Sequence, residues 1–600
     1  MIKLSDYVIN FLVQKNISDI FTISGGGIMH LVESLGNNKA ISYFCNYNEQ
    51  ATAYCAEGYA RLKGDMSACL VTTGPGSTNA ISGVASAWVD SVPMLVISGQ
   101  VKRGLIANYS KLRQIGEQEV NIIDMVKPIT KYAKTITEPN TIRYELERAF
   151  YMAKDGRPGP VWINIPLDVQ GSFVDENKMS AFKPVKCLPS RGKANLKAQV
   201  SKTVKMLKNS KRPLLLCGYG VRIAGAEDLL SQVLTRVKIP VALSFNGMDL
   251  IPEEHSLLIG KPGIIGQRRA NFAVQNSDCI LVIGSRLSLK IVGYNYKSFA
   301  VKAKKIIVDV DGEELRKITV NPDLAIQADA KDFLEEFIKQ ANGQDIEAST
   351  DWIEACRKWK TRYPNVVKEF FDDRENVNTY VFYDKLSGSL TEKDTVVTGN
   401  GLAAVCLYQS FKVKNKQRAF TNNGYGAMGW GLPASIGACI ANKCKKTVCV
   451  EGDGSIQMNI QELELIGHHK LPIKIFVFNN KGYTSIRLTQ DTFFNSHYVC
   501  ADEASGVGNP DFKKIADAYG LGYEKILKNE ELTDGINKVL SAAGPVLCEL
   551  NISPGQGVSP KTMSYRKEDG TLESRPLEDM FPFLSREELK ENMRISGDQP

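Results

Sequence analysis

The sequence predicts an α/β protein of three doubly wound parallel-sheet domains followed by a C-terminal tail. Three observations predict this. Short β-branched runs alternate with longer helical stretches throughout, the pattern of strands joined by helices. The 600 residues exceed what one core organises, and about three or four domains follow from that length. Two polar stretches, 171–195 and 346–380, divide the pattern into three blocks.

The first block, 1–170, holds the strand candidates ACLVTT (68–73), PMLVISG (93–99) and VWINIP (161–166). The linker 171–195 is polar and carries Pro184 and Pro189. The second block, 196–345, holds PLLLCGYG (213–220), CILVIGSRL (279–287) and KKIIVDVDG (304–312). The linker 346–380 follows, with a charged helix in it. The third block, 381–553, holds KTVCVEGDGS (446–455) and IKIFVFNN (473–480). The tail, 554–600, is rich in charge, Pro and Gly and is expected to act as an active-site cover. No close repeat is present, yet the first and third blocks remain free to share a fold.

Composition narrows the function classes. The 74 basic and 66 acidic residues give a net charge of +8, dispersed along the chain, so no nucleic-acid footprint is indicated. Small anionic ligands suit that balance. Thirteen cysteines occur without a CxxC pair, and Cys69, Cys217 and Cys279 lie in apolar runs, which points to reduced, buried thiols. The first residues, MIKLSDYVINFLVQKN, have helical periodicity and include Asp6, unlike a signal peptide. No apolar run reaches about 18 residues. A cytoplasmic protein with no membrane partner is expected. His468–His469 lies on a predicted helix without a further ligand cluster and reads as surface or packing.

The strongest chemical signal is in the third block. EGDGSIQMN (451–459) directly follows the strand TVCV, and Asn479–Asn480 directly follows the strand IKIFVF. Parallel strands joined by a helix would bring both loops to one carboxyl edge, where α/β proteins bind ligands. Asp453 offers an anionic oxygen and Asn480 a neutral amide oxygen, suitable ligands for a Mg2+ that bridges a diphosphate. Gly452 and Gly454 let the backbone approach phosphate oxygens, and the helix opening at Ser455 supplies free N–H groups.

GDG with a closing NN after a strand resembles the thiamine diphosphate (ThDP) motif. GPGSTN (74–79), GRPGPVWINIPLDVQ (156–170) and GYGAMGWGLPASIGA (424–438) extend the resemblance through the first and third blocks, and the chain resembles acetolactate synthase-like ThDP enzymes in all three. The resemblance implies residue roles. The family's carboxylate for the pyrimidine N1′ matches Glu49 in CNYNEQATAYCAEGYA, although Asn48 replaces the usual His; on the residues of that stretch alone, Glu49 reads first as a charge favoured at a helix start. Glu57 matches a structural glutamate. Met428 matches the apolar wedge that bends the cofactor, and Gln118 matches a glutamine beside the reacting carbon. Gly25, Gly26, Gly74, Asn79, Asn400, Gly401, Gly426 and Tyr483 match further ThDP contacts. Gly482 matches a metal ligand acting through its backbone carbonyl. Ser24 stands in place of a family proline, and Glu117 in place of an aromatic residue.

In the middle block, GYG after a strand is by itself equally a plain strand-to-helix turn. The resemblance implies FAD there, with Arg157, Gly218, Gly220, Arg286 and Asp309 facing it, although Lys290 replaces a family arginine. The alternative is an empty or nucleotide-specialised domain. It further implies at least a homodimer, or a homotetramer, with active sites at the subunit interface. Pyruvate is the implied donor. The acceptor is a second 2-ketoacid, giving acetolactate, or a keto-sugar nucleotide. The latter follows from likeness of the tail PLEDMFPFLSREELKENM to a surface-polysaccharide subgroup, and from the absence of the family's tryptophan after the NN motif. Arg487 and Lys561 are candidate contacts to an anionic acceptor, or plain surface charges. A decarboxylase or oxidase, and a catalytically inactive nucleotide-binding scaffold, are the alternative functions.

Overall fold

The computed structural model describes residues 1–184 and 190–594. Pro189 of the expected linker and the last part of the tail, 595–600, lie outside them. Three six-stranded sheets dominate, every neighbouring strand pair in them parallel.

The first sheet runs, edge to edge, Ser42–Cys45, Asp19–Thr22, Ser67–Val71, Met94–Gln100, Val161–Pro166, Tyr132–Thr135. The third runs Ala419–Thr421, Thr395–Thr398, Thr447–Gly452, Ile473–Asn479, Val546–Asn551, Gly522–Ile526. Counted in chain order within each block, both have the order 2-1-3-4-6-5. The first and third blocks therefore share a fold that sequence similarity does not reveal. The middle sheet runs Leu258–Gly260, Val241–Leu243, Pro213–Cys217, Cys279–Ile283, Lys304–Asp309, Leu324–Gln327, the order 3-2-1-4-5-6 of dinucleotide-binding folds. In all three sheets the strand order reverses beside the first strand, which opens a crevice at its carboxyl end.

The central strands are buried on both faces and read as continuous apolar runs, as parallel sheets require. The first and third blocks join through the helices Glu49–Lys63 and Gly431–Ala441. A β-carbon at Gly58 would overlap the Ala434 carbonyl, and one at Gly437 would overlap the Cys55 carbonyl. Each glycine thus receives the other helix's backbone. Ala53, Ala56 and Tyr59 share one buried cluster with Leu432, Ile436 and Cys439 across this contact.

One linker assignment and the reading of the tail change. Helix Thr350–Arg362, expected between domains, buries Trp352, Cys356 and Trp359 in the middle block's core, and Trp352 Nε1 donates to the Pro213 carbonyl at 3.0 Å. Its apolar face makes it part of that block. The tail is not chiefly an active-site cover. Leu577 joins the same core, and Trp359 Nε1 donates to Asn592 Oδ1 at 2.8 Å, so 577–593 is clasped to the middle block. Only the start of the tail stays near the third sheet's loops: the Pro554 carbonyl accepts from Arg487, and Gly557 adjoins Leu488.

Candidate active site

One cluster forms at the crevice of the first sheet. Loop 24–27 and loop 72–76 leave the adjacent strands Asp19–Thr22 and Ser67–Val71. Thr72 packs against Gly25, and Thr73 against Gly27. Glu49 is the first residue of its helix. Asn48 caps that helix, its Oδ1 accepting from Gln50 N at 2.8 Å. Asn79 Nδ2 donates to Glu49 Oε2 at 3.0 Å, and a β-carbon at Gly76 would lie 3.0 Å from Glu49 Oε1. Gly74 has φ +66°, and the Gln118 carbonyl occupies the space a side chain there would need. Gly25, Gly74, Asn79, Gln118 and Glu49 thus belong to one cluster, and Gly26 lies in its loop. Glu117 and Gln118 are exposed. Glu119 is buried and accepts from Ala107 N, Ile115 N (2.8 Å) and Gly116 N (3.0 Å), folding the loop that presents Gln118. Nothing in the run EQE marks Glu119 for that work in the sequence.

Glu57, two helical turns on, has a different environment. It is fully buried and paired with Arg61, whose guanidinium also reaches Asp90 Oδ2 at 2.6 Å. Trp430 Nε1 donates to Glu57 Oε2 at 2.9 Å, and Asp90 Oδ1 accepts from Gly424 N at 3.0 Å. This network ties the helix to loop 422–429, which carries Gly426 and Met428. Burial raises the Glu57 pKa, opposed by Arg61. Met428 is partly exposed and belongs to no buried cluster, so it is not a core-packing methionine. Asn400 Nδ2 donates to the Gly426 carbonyl at 3.0 Å, and Gly401 begins the next helix.

The second cluster lies at the crevice of the third sheet. Strands Thr447–Gly452 and Ile473–Asn479 are adjacent and parallel, so Asp453 and Asn480 leave the same edge side by side. Asp453 is buried. Its Oδ1 accepts from Gly454 N (2.7 Å), and its Oδ2 from Gly482 N (3.0 Å) and Asn509 Nδ2 (2.7 Å). Burial raises its pKa. Asn480 Oδ1 is buried without a hydrogen-bond partner, an unsatisfied oxygen that fits a cation. Among the described residues no group of three or more His, Cys, Asp or Glu could hold a metal. Asp453 and Asn480 offer instead a carboxylate and an amide oxygen, chemistry that suits a hard cation. Tyr483 packs on Gly454, and Ser455 Oγ accepts from Gly429 N at 2.9 Å. Asn509 was not legible in the sequence, since a loop asparagine about 55 residues away carries no signal.

Arg487 is not a surface charge aimed at substrate. It is 5% exposed, and its guanidinium donates to the carbonyls of Asn480 (2.9 Å), Lys481 (3.0 Å) and Pro554 (3.2 Å). It folds the loop 480–482. Replacing Arg487 by Met leaves those carbonyls unpaired and is expected to cost about 2 kcal/mol or more. Faster amide exchange over 480–487 and a lower thermal midpoint would register it. The Lys561 ammonium has no ion-pair or hydrogen-bond partner among the described residues, and burial lowers its pKa.

The middle crevice holds a cavity of about 330 Å³. Arg157, Arg286, Asp309 and Lys290 line it, with Gly220. Arg157 Nη1 pairs with Asp311 (3.0 Å) and Glu314 (2.8 Å), and Arg286 Nε pairs with Glu314 at 3.1 Å. Asp309 ends its strand buried, with its pKa raised by that burial. Gly218 and Gly220 are required by the close approach of Gly284, which a β-carbon on either would strike. Lys290 Nζ crosses to the third block, donating to the Asn423 carbonyl (2.8 Å) and Oδ1 (2.9 Å).

Family comparisons match this architecture block by block. The N-terminal TPP binding domain of thiamine pyrophosphate enzymes matches residues 2–125, the central domain 200–337, and the C-terminal TPP binding domain 399–550. The acetolactate synthase large subunit of Cyanidium caldarium is 32% identical over 564 residues, covering 92% of this chain and 94% of that protein. This chain belongs to the acetolactate synthase-like thiamine pyrophosphate enzymes. Other relatives of that kind are the probable acetolactate synthase large subunit of Methanocaldococcus jannaschii, 31% identical over 93% of both chains, and the acetolactate synthase isozyme 1 large subunit of Escherichia coli K12. The latter is 28% identical over 93% of this chain and 95% of its own length. Among the described residues of this acetolactate synthase-like chain, no helix is long and apolar enough to cross a membrane.

Proposed function

We propose that this chain is a ThDP- and Mg2+-dependent carboligase that decarboxylates pyruvate and transfers the two-carbon unit to a carbonyl acceptor. The observation that carries the reading is the buried, unpartnered Asn480 oxygen beside Asp453. Asp453, Asn480 and the Gly482 carbonyl would hold Mg2+, and Gly452, Gly454, Ser455, Asn400, Gly401, Gly426 and Tyr483 would surround the diphosphate. Glu49 would hold the proton at the pyrimidine N1′, within the cluster of Gly25, Gly26, Gly74 and Asn79. Met428 would support the bent cofactor, and Gln118 would stand beside the reacting carbon. ThDP, when bound, supplies the carbanion that lets a 2-ketoacid lose CO2 and attack a carbonyl.

Among the described residues Glu49 itself makes no hydrogen bond to Asp453 or Asn480, although Asn459 and Glu462 reach residues 46–50 from the third block. Tyr47, Met29, Met458 and Ile486 are each 44–53% exposed around the two clusters. Both facts favour a homodimer in which each site takes Glu49 from one copy and Asp453 from the other. The middle cavity, with two arginines and a strand-end aspartate, suits FAD in a structural role. The twelve described cysteines are free, which suits a cytoplasmic location.

The test is incubation of the purified protein with ThDP, Mg2+ and pyruvate alone. Carbon dioxide release that requires both cofactors is expected, with acetolactate if the acceptor is a second pyruvate. Sustained CO2 release with acetaldehyde and no acetolactate marks a plain decarboxylase, whereas CO2 limited to about one per site marks a carboligase awaiting another acceptor, for which the Lys561 ammonium is a candidate contact. No cofactor-dependent decarboxylation refutes the pyruvate reading.

A further inference from the structure

The helix that presents Glu49 does not stand alone. Its leading turn, 46–48, is held from the third block. Glu462 Oε2 accepts from Asn46 Nδ2 at 2.8 Å, and Glu462 Oε1 accepts from Tyr47 N at 2.9 Å. A second bridge lies beside it: Asn459 Nδ2 reaches Gln50 Oε1 at 3.2 Å and the Gly429 carbonyl at 2.9 Å. Asn459 and Glu462 belong to the short helical run Gln457–Glu462, which continues the segment opened by Asp453. Glu462 is fully buried, and no basic residue pairs with it among the described residues. A buried carboxylate without a counter-charge is costly, and here only N–H donors from the turn compensate it.

Resting on the carboligase reading, we propose that Glu462 is a positioning residue: its carboxylate clamps turn 46–48 and so sets where Glu49 meets the pyrimidine.

The clamp depends on ionisation. Burial pushes the Glu462 pKa up to about 7, against the hydrogen bonds from Asn46, Tyr47 N and Asn48 N. The titratable groups around it are Tyr47 and Cys45 from the preceding strand end, Cys55 from helix Glu49–Lys63, and Glu464 on its own segment. None supplies a positive charge. Because the folded pKa lies above that of a free glutamate, the group's contribution to stability is present below about pH 4 and is lost as pH rises through about 7. Its contribution to the clamp runs the other way. The ionised form accepts from every donor of the turn, whereas the protonated form brings an O–H that finds only donors opposite it. Turnover therefore gains an acid limb near pH 7.

Two variants test this. In Glu462→Gln the amide NH2 faces N–H donors at every pH. Amide exchange over 46–50 in the cofactor-free chain is expected to quicken, and kcat to fall about 10- to 100-fold, the scale of a small misplacement at a reacting centre. In Asn46→Ala one donor to the ionised carboxylate is lost, so the acid limb of kcat against pH is expected to move to higher pH. A purely structural contact would not move that limb. An unmoved limb in Asn46→Ala, or unchanged exchange over 46–50 in a folded Glu462→Gln, overturns the proposal. Failure of the underlying reading shows differently: the parent protein would then release no CO2 from pyruvate with ThDP and Mg2+.

Discussion

Glu49→Gln is expected to reduce decarboxylation of pyruvate by about 10²–10⁴-fold, the range for loss of a positioned acid–base group. The substitution keeps the size of the side chain and its contact with Asn79, whose Nδ2 still finds an amide oxygen. It removes only the negative charge that would favour a protonated N1′. Thermal stability is therefore expected to change little, and Mg2+ binding at Asp453 to persist, because among the described residues Glu49 makes no hydrogen bond to Asp453 or Asn480. The comparison of kcat with thermal midpoint and Mg2+ titration separates the outcomes. A variant that folds, binds Mg2+ and turns over at the parent rate would show that Glu49 is only a helix-start charge.

The second large effect is on the fold. Gly437→Ala is expected to destabilise the protein by about 3 kcal/mol, the upper end of overpacking costs, because its methyl group would meet the Cys55 carbonyl rather than a flexible side chain. Gly58→Ala should behave alike against Ala434. The controls are helix glycines with open space: Gly36→Ala and Gly388→Ala have nothing within 4 Å and are expected to be neutral or to stabilise by about 0.5–1 kcal/mol. Thermal midpoints of the four variants, with activity followed over the same range, check the ranking. Equal effects in both pairs would mean that the two helices do not approach as described.

Much of the site was legible because its chemistry is local. Gly452, Asp453 and Gly454 follow a strand and Asn480 follows the next, and parallel pairing alone carries both to one edge. Central strands such as Val161–Pro166 announced themselves as apolar runs. Edge strands did not. Ser42–Cys45 and Gly522–Ile526 are largely exposed or half-buried, so no apolar pattern marks them. The shared strand order of the first and third blocks was likewise hidden, since topology is set by which strands pair and not by residue identity. Arg487 shows the opposite error. A long cation after a metal motif suggested a substrate contact, but its partners are carbonyls, which any residue carries and no sequence displays.

The residue pattern alone decided the α/β class, the three blocks and the hard-oxygen set of Asp453 and Asn480, because period, turn chemistry and ligand type are properties of short segments. Tertiary structure alone decided what distinguishes Glu49 from Glu57. The two lie eight residues apart on one helix, yet one faces the first sheet's crevice with Asn79 while the other is fixed by Arg61, Ser86 and Trp430. The roles of Glu119, Asn509 and Glu462 are of the same kind. A buried carboxylate or amide takes its function from the donors that the fold brings to it, and those donors come from segments the chain order keeps apart.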